Sequence, residues 1–217
     1  QFYRTVLLSK SRYLKTARDI EIIAEAYTNL GVSLQQRGDR DAAIDSFKQA
    51  VKIKPNYIEV YYVMGHAFRE KGDLISSIDC YQQAVSNNPG NADALINLGV
   101  ALQHNGELEA AIESYKQALK ISPECAEAYN NLGSTYLEKG YLDAAIESYK
   151  EAIKIKPDYA NAYNNMGHAF HDKGDLAASL GCYKSALKIV PYSPQTHNNM
   201  GTALREIGDY QEAIKHF

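Results

Sequence analysis

The chain has 217 residues and a net charge of −3 at pH 7 with neutral histidine, which excludes the strongly basic composition typical of nucleic-acid-binding modules. Its three cysteines, Cys80, Cys125 and Cys182, are too widely spaced for a disulfide framework or a C-x-x-C zinc site. No apolar run approaches the roughly 20 residues that a membrane-spanning helix needs, so we expect no membrane insertion and a cytoplasmic location.

The first element in chain order is an N-terminal segment, residues 1–23. Ser9, Tyr13 and Thr16 have the small–aromatic–small spacing that recurs later in the chain. We therefore expect residues 1–23 to form a capping helix or a degenerate repeat. Because the chain begins with Gln1, we also expect it to be a piece of a longer protein.

From residue 24 onward, a period of 34 residues organises the chain. Repeats 1 to 6 start near residues 24, 58, 92, 126, 160 and 194, and the last is incomplete. Two glycine series and one proline series keep this step: Gly31, Gly65, Gly99, Gly133, Gly167 and Gly201; Gly38, Gly72, Gly106, Gly140, Gly174 and Gly208; and Pro55, Pro89, Pro123, Pro157 and Pro191.

Each repeat predicts two helices. In repeat 4 we expect the first helix over 126–139 and the second over 142–156, with Gly140 in the tight turn between them. Pro157 then stops the second helix, because proline cannot continue a helix interior.

Two pairs of residues predict helix N-termini. Ser193 and Pro194 suit an N-cap followed by the first helical position. Asn56 and Glu59 have the spacing of a capping pair. We therefore expect each pair to begin the first helix of its repeat.

The first glycine series falls inside the first helix of each repeat, where glycine costs about 0.8–1 kcal/mol relative to alanine. A close approach of another element at these positions would offset that cost. The second helix offers such an element, since an aromatic residue flanked by small residues recurs there as Phe47, Tyr81, Tyr115, Tyr149, Tyr183 and Phe217.

Residues 24–217 resemble the tetratricopeptide repeat family. The resemblance rests on Tyr27, Tyr61, Tyr129 and Tyr163, on a Leu-Gly or Met-Gly pair such as Leu132–Gly133, and on the small–aromatic–small pattern before the proline. Leu95 and His197 depart from it at the aromatic position. It implies an all-α fold, a right-handed superhelical α-solenoid of antiparallel helix pairs, whose first helices line a concave binding groove.

Asparagine recurs two residues before the glycine of the first helix, at Asn29, Asn97, Asn131, Asn165 and Asn199, with Val63 as the interruption. Repeats 4 to 6 add a second column: Asn130, Asn164 and Asn198. This ladder resembles that of the O-linked N-acetylglucosamine transferase repeats, where amides hold the backbone of an extended peptide. The alternative is that the asparagines bond to neighbouring helices and stiffen the solenoid. We add Tyr62, His66, His168 and Arg205 to the predicted groove.

These patterns favour a non-enzymatic scaffold that binds a protein or an extended peptide. Acidic residues near the starts of the first helices favour a neutral to basic partner: Glu25, Glu59, Asp93 and Glu127. No motif indicates catalysis, a cofactor or a metal site, and the lysines of the second helices suit a solvated face rather than nucleic-acid binding. Two alternatives stay open: a substrate-recognition arm of a larger enzyme such as a glycosyltransferase, and a scaffold that self-associates through its terminal helices, where Ile214 and Phe217 would be exposed.

Overall fold

The structure is a computed structural model that describes residues 16–217, and every regular element in that range is an α-helix. The predicted all-α class is therefore confirmed. The helices are α1 (Ala17–Gln36), α2 (Arg40–Ile53), α3 (Ile58–Lys71), α4 (Leu74–Asn87), α5 (Ala92–His104), α6 (Leu108–Ile121), α7 (Ala126–Glu138), α8 (Leu142–Ile155), α9 (Ala160–Asp172), α10 (Leu176–Ile189), α11 (Pro194–Ile207) and α12 (Tyr210–Ile214).

Helix packing divides the described chain into two units, one that ends at residue 107 and one over residues 108–217. In the first unit, consecutive helices from α1 to α5 pack on one another, and α1 also contacts α3. In the second unit, α6 to α12 pack in the same consecutive order, and α9 contacts both α7 and α11. Within each unit, connections of two to four residues make consecutive helices antiparallel neighbours, so the first helices of successive repeats share one side of the unit.

The turn inside each repeat depends on a glycine in the left-handed region. At the end of α3, Gly72 has φ 85°. Its N–H donates to Arg69 O at 3.0 Å, and the next N–H, of Asp73, donates to Phe68 O at 2.9 Å. This is the Schellman arrangement, which satisfies the last carbonyls of the helix and turns the chain sharply into α4.

The glycine inside the first helix lies against the aromatic residue of the second. A Cβ placed on Gly133 would lie 2.7 Å from Cε1 of Tyr149, and Tyr149 is fully buried. The predicted close approach is confirmed. Burial of these rings and of the flanking alanines forms the core of each unit, for example Ala145, Tyr149 and Ala169 between α8, α9 and their neighbours.

One of the two predicted N-caps is confirmed and one is wrong. Ser193 is the N-cap of α11, and its hydroxyl accepts a hydrogen bond from the N–H of Thr196 at 3.3 Å. The N-cap of α3 is Tyr57, without a side-chain hydrogen bond. Asn56 belongs to the turn that follows Pro55, one residue before the cap, so it does not pair with Glu59 as predicted.

Helix α1 begins earlier than the repeat boundary predicts. Its N-cap is Thr16, whose hydroxyl accepts a hydrogen bond from the N–H of Asp19 at 3.1 Å. The predicted boundary between residues 23 and 24 therefore falls within a helix, and the predicted roles of Ser9 and Tyr13 lie outside the described residues. At the other end, Ile214 and Phe217 are 75% and 68% exposed, as expected.

Candidate groove on the first helices

A chain of asparagine side chains connects the first helices of the second unit. The Nδ2 of Asn165 on α9 donates to Oδ1 of Asn130 on α7 at 3.2 Å. One repeat later, the Nδ2 of Asn199 on α11 donates to Oδ1 of Asn164 on α9 at 3.1 Å. Each donor thus meets an acceptor 35 positions earlier, in the other asparagine column.

Adjacent asparagines complete this chain within each helix. The Nδ2 of Asn130 lies 3.4 Å from Oδ1 of Asn131, and the Nδ2 of Asn164 lies 3.5 Å from Oδ1 of Asn165. These two contacts are long and weak compared with the inter-helix bonds. We call the five residues together, Asn199, Asn164, Asn165, Asn130 and Asn131, the amide chain.

The two asparagine columns have different surroundings. Asn130 and Asn164 are 8% and 7% exposed, whereas Asn131, Asn165 and Asn199 are half-buried. The buried column therefore holds the outer column in place. A carboxamide has two donor hydrogens and two acceptor lone pairs, so each outer amide keeps hydrogen-bonding capacity for a ligand after its bond to the buried column.

In the first unit, tyrosine takes the place of the buried asparagine. The Nδ2 of Asn97 on α5 donates to the hydroxyl of Tyr62 on α3 at 3.1 Å, again 35 positions apart, and to Asp93 O at 2.8 Å. Asn29 on α1 is exposed. Val63 stands at the ladder position of repeat 2, and within the described part of the first unit one ladder asparagine contacts the preceding repeat, whereas two do so in the second unit.

Tyr62 belongs to a group of four side chains in repeat 2, with His66, Arg69 and Tyr81, which we call the repeat-2 cluster. The ring of His66 lies edge-on to those of Tyr62 and Tyr81, with centroids 5.0 and 5.7 Å away. Nη2 of Arg69 lies 3.1 Å from Nδ1 of His66. Because a guanidinium only donates, the network assigns Nδ1 as the acceptor and the ring proton to Nε2. Burial, and then the charge of Arg69, lower the pKa of His66.

The hydroxyl of Tyr81 in this cluster is buried and has no hydrogen-bond partner among the described residues. The corresponding tyrosine of repeat 4, Tyr149, donates its hydroxyl to Oγ of Ser134 at 3.2 Å. The position of Ser134 is taken by His66 in repeat 2. The histidine therefore removes the partner that a serine supplies.

Repeat 5 has His168 and Tyr183 at the positions of His66 and Tyr81 in repeat 2, and His171 at the position of Arg69. These repeat-5 residues line a cavity of about 140 Å³ together with Asp172, Asn199 and Thr202. We call this cavity the repeat-5 pocket. It adjoins the amide chain through Asn199.

The repeat-5 pocket is acidic. Oδ1 of Asp172 lies 3.6 Å from Nδ1 of His171 and 3.9 Å from Nε2 of His168. On the other side of the ring, Oε2 of Glu206 lies 3.1 Å from Nε2 of His171. That approach lacks hydrogen-bond geometry, so the buried Nε2 has no hydrogen-bond partner.

The predicted groove residues thus fall into connected groups within each unit. The structure brings together Asn130, Asn131, Asn164, Asn165 and Asn199 in the amide chain, Tyr62 with His66 and Asn97 in the first unit, and His168 with Asn199 at the repeat-5 pocket. Asn29, Asn198 and Arg205 are exposed and lie outside these groups. The role of all these residues in ligand binding stays a prediction, and so does the resemblance of the ladder to that of the transferases.

Sequence reasoning did not select His171, Asp172, Tyr183 and Glu206 for the groove. A signal was present, because Asp172 and Glu206 are separated by one repeat length of 34 residues and flank a histidine in space. It also did not select Arg69, whose contact with His66 follows from their spacing of three residues along a helix.

The structure offers little for metal or thiol chemistry. Among residues 16–217, no group of three or more His, Cys, Asp or Glu side chains could hold a metal ion. Burial raises the pKa of Cys80 to about 12 and that of Cys182 to about 11. Both thiols therefore stay protonated at neutral pH, and a protonated thiol is a poor nucleophile. In the same range, no helix is both long and apolar enough to cross a membrane.

The chain belongs to the tetratricopeptide repeat family. Sequence profiles of the family match residues 65–106, 104–140 and 133–174 as TPR repeat, and residues 24–57 and 158–217 as tetratricopeptide repeat. Proteins of this family commonly serve as interaction scaffolds, and membership supports a general protein-binding role. No curated protein sequence matches the chain at a significant level.

Solved structures are similar in fold. A crystal structure of the MamA protein is 31% identical, with a TM-score of 0.72 over 76% of this chain and 91% of that one. PilW, titled a widely conserved type IV pilus biogenesis factor, is 18% identical, with a TM-score of 0.80 over 89% and 90% of the two chains. YrrB, titled a TPR protein with an unusual peptide-binding site, is 18% identical, with a TM-score of 0.70 over 90% and 96%.

Proposed function

We propose that the chain is a non-enzymatic scaffold that holds an extended segment of a partner protein along its first helices, with the outer asparagines bonding to the peptide backbone. The observation that carries this proposal is the amide chain. Its buried members, Asn130 and Asn164, fix the positions of the half-buried Asn165 and Asn199. Donors and acceptors fixed before binding lose less conformational entropy when a ligand arrives.

Backbone recognition suits an amide, because its donor and acceptor match the acceptor and donor of a peptide group. Such contacts tolerate different peptide sequences. The partner segment is neutral to basic, since acidic side chains recur near the starts of the first helices and Arg205 lies outside the connected groups of groove residues. The fold relative YrrB, titled as having an unusual peptide-binding site, is consistent with this use of the fold.

The amides alone are too weak for tight binding. Each hydrogen bond contributes a net ~0.5–1.5 kcal/mol, and association itself costs about 4–15 kcal/mol. A micromolar complex needs about −8 kcal/mol overall. Side-chain subsites beside the ladder must therefore contribute, and the repeat-2 cluster and the repeat-5 pocket are the built candidates.

The test uses a random dodecapeptide phage library, selected on the intact chain, with affinities of the enriched peptides measured by fluorescence anisotropy. In the double variant Asn131→Ala/Asn165→Ala, we expect Kd to rise about tenfold because two amide contacts are lost. Only the bond from Asn165 to Asn130 links two helices. Because Oδ1 of the buried Asn130 loses this donor, the free energy of unfolding should fall by about 1–3 kcal/mol.

The matched control is Asn56→Ala/Asn88→Ala, which removes two exposed asparagines from turns. It should leave both affinity and unfolding nearly unchanged. Equal affinities of the ladder variant and the control would contradict the proposal. So would a large loss of stability with unchanged binding, since the asparagines would then only stiffen the stack.

A further inference from the structure

We propose that the repeat-5 pocket is a subsite for the cationic side chain, lysine or arginine, of the peptide held along the groove. This inference rests on the proposed function and names one side chain of its ligand. It depends on three features of the second unit: two carboxylates without a cationic side-chain partner, a cavity of suitable size, and a lining of hydrogen-bond acceptors.

The first feature is the pair of carboxylates on either side of His171. Asp172 faces Nδ1 at 3.6 Å, and Glu206 faces Nε2 at 3.1 Å. A neutral imidazole carries one proton, so it can serve only one of these carboxylates, and its other nitrogen presents a lone pair to the second. Among the described residues, neither carboxylate forms an ion pair with a lysine or an arginine, since their charged contacts are with histidines. Two negative charges therefore stand beside the pocket when His171 is neutral.

The second feature is the size of the cavity, about 140 Å³. One water occupies about 30 Å³ in the liquid, so the cavity holds the volume of a few waters. That space suits an ammonium or a guanidinium group with part of its methylene stem.

The third feature is the lining. Tyr183 is 1% exposed, and its side chain forms part of the cavity wall. Burial raises the pKa of Tyr183, and the charges of Asp172 and Glu206 add to that rise, so both carboxylates act on its hydroxyl. Thr202 donates its hydroxyl proton to Asn198 O at 3.0 Å, which leaves its oxygen as an acceptor toward the cavity.

The hydrogen-bond acceptors that line the pocket favour a ligand group that donates hydrogen bonds. Asn199 uses its Nδ2 toward Asn164 and keeps its Oδ1 as an acceptor. Together with Tyr183, Thr202 and Asp172, it offers acceptors to a ligand group that carries several N–H donors. Ammonium and guanidinium are the side-chain groups that supply such donors together with a positive charge.

The corresponding positions of repeat 2 do not form a site for a cationic side chain. Arg69 occupies the position of His171 there, and its guanidinium contacts His66 instead of a carboxylate. Glu70, at the position of Asp172, contacts Gln35 and Arg40. The repeat-2 cluster therefore carries a positive charge of its own and would repel a cationic side chain.

The test repeats the phage selection with the double variant Asp172→Asn/Glu206→Gln. The wild-type chain should enrich peptides with lysine or arginine at one fixed position, and replacing that residue by norleucine should raise Kd at least tenfold. In the variant, that replacement should change Kd by less than twofold. The matched control, Asp143→Asn/Glu147→Gln, removes the same charge from α8, where the carboxylates pair with Lys173 and Lys150. It should keep the wild-type preference.

The outcomes separate this inference from the proposed function. Peptides that bind through the asparagines without a fixed lysine or arginine would overturn the cation subsite and leave the scaffold standing. A preference that survives in the Asp172→Asn/Glu206→Gln variant would also overturn it. Failure of the library to yield any peptide that depends on the asparagines would overturn both. Circular dichroism of the variant, whose two altered side chains are 40% and 44% exposed, checks that it folds.

Discussion

Repeats 2 and 4 share the packing of a tyrosine against a glycine, and they differ in the contact that the tyrosine hydroxyl makes. In both, a tyrosine of the second helix is fully buried against the glycine of the first, Tyr81 on Gly65 and Tyr149 on Gly133. In repeat 4 the tyrosine hydroxyl bonds to Ser134, whereas in repeat 2 the corresponding hydroxyl is an orphan.

This difference shows which part of a repeat is free to change. The glycine–tyrosine contact fixes how two helices approach, so it is kept in both repeats. The next residue, Ser134 or His66, lies at the edge of the groove and has a half-buried side chain in both repeats. Replacing serine by histidine leaves a buried hydroxyl unsatisfied, which costs about 1–3 kcal/mol. Stability alone would therefore favour serine at this position.

The largest expected effect comes from removing the two hydroxyls. Tyr81→Phe should raise the free energy of unfolding by about 1 kcal/mol, because it deletes an unsatisfied buried group. Tyr149→Phe should lower it by about 0.5–1.5 kcal/mol, because it breaks the bond to Ser134. Urea unfolding of both variants beside the wild type measures the two changes, whose opposite signs are the decisive result.

A swap of the groove residue supplies the control for this pair. His66→Ser should give Tyr81 the partner that Tyr149 has, so Tyr81→Phe should no longer stabilise the chain in that background. If Tyr81→Phe stabilises the chain equally in the wild-type and the His66→Ser backgrounds, the orphan hydroxyl is not the cause of the difference between the repeats.

The sequence predicted the repeat frame because local chemistry and one period determine it. Glycine inside a helix and an aromatic residue in the next helix, such as Gly133 and Tyr149, indicate a close approach wherever they recur. Tight turns followed from a second glycine at a fixed position, and Gly72 shows the left-handed φ that this position needs. Asn56 was wrong as a cap because helix ends depend on single residues of the turn.

The side-chain contacts of the groove could not be predicted in the same way. The bond from Asn165 to Asn130 spans 35 residues, one more than the period. That offset depends on the angle between successive first helices, which a period does not contain. The pairing of Arg69 with His66 and the position of His171 between two carboxylates likewise depend on side-chain rotamers.

The second-largest expected effect tests the packing that repeats 2 and 4 share, in which a tyrosine ring lies against a glycine. A Cβ on Gly65 would lie 2.9 Å from the Tyr81 ring, and one on Gly133 would lie 2.7 Å from the Tyr149 ring. Overpacking costs about 1–3 kcal/mol, while alanine gains about 0.8–1 kcal/mol in helix propensity. Gly65→Ala and Gly133→Ala should therefore each destabilise the chain by about 1 kcal/mol, with the larger loss at Gly133.

Gly181 offers the matched control, because it lies in α10 and a Cβ there would meet no atom within 4 Å. Gly181→Ala should stabilise the chain by about 0.8–1 kcal/mol through helix propensity alone. Thermal and urea unfolding compare the three variants. If Gly133→Ala stabilised the chain as much as Gly181→Ala does, the close approach of the Tyr149 ring to Gly133 would be contradicted. The glycine–tyrosine packing could then no longer be taken as common to repeats 2 and 4.

The smallest effect is a pH dependence carried by His66 in repeat 2. Burial and then the charge of Arg69 lower the pKa of His66, with a smaller opposing effect from Glu70. The unfolded chain therefore takes up a proton near the ordinary histidine value of about 6.5, whereas the folded chain does so only at lower pH. The contribution of His66 to stability is present above that value and is lost as the pH falls through its folded pKa.

His66→Ser should reduce the loss of unfolding free energy between about pH 7.5 and 5.5. The control, Ser134→Ala, leaves the titratable groups unchanged and should keep the wild-type slope. Parallel slopes for wild type and His66→Ser would show that neither burial nor the charge of Arg69 lowers the pKa of His66 in the folded chain.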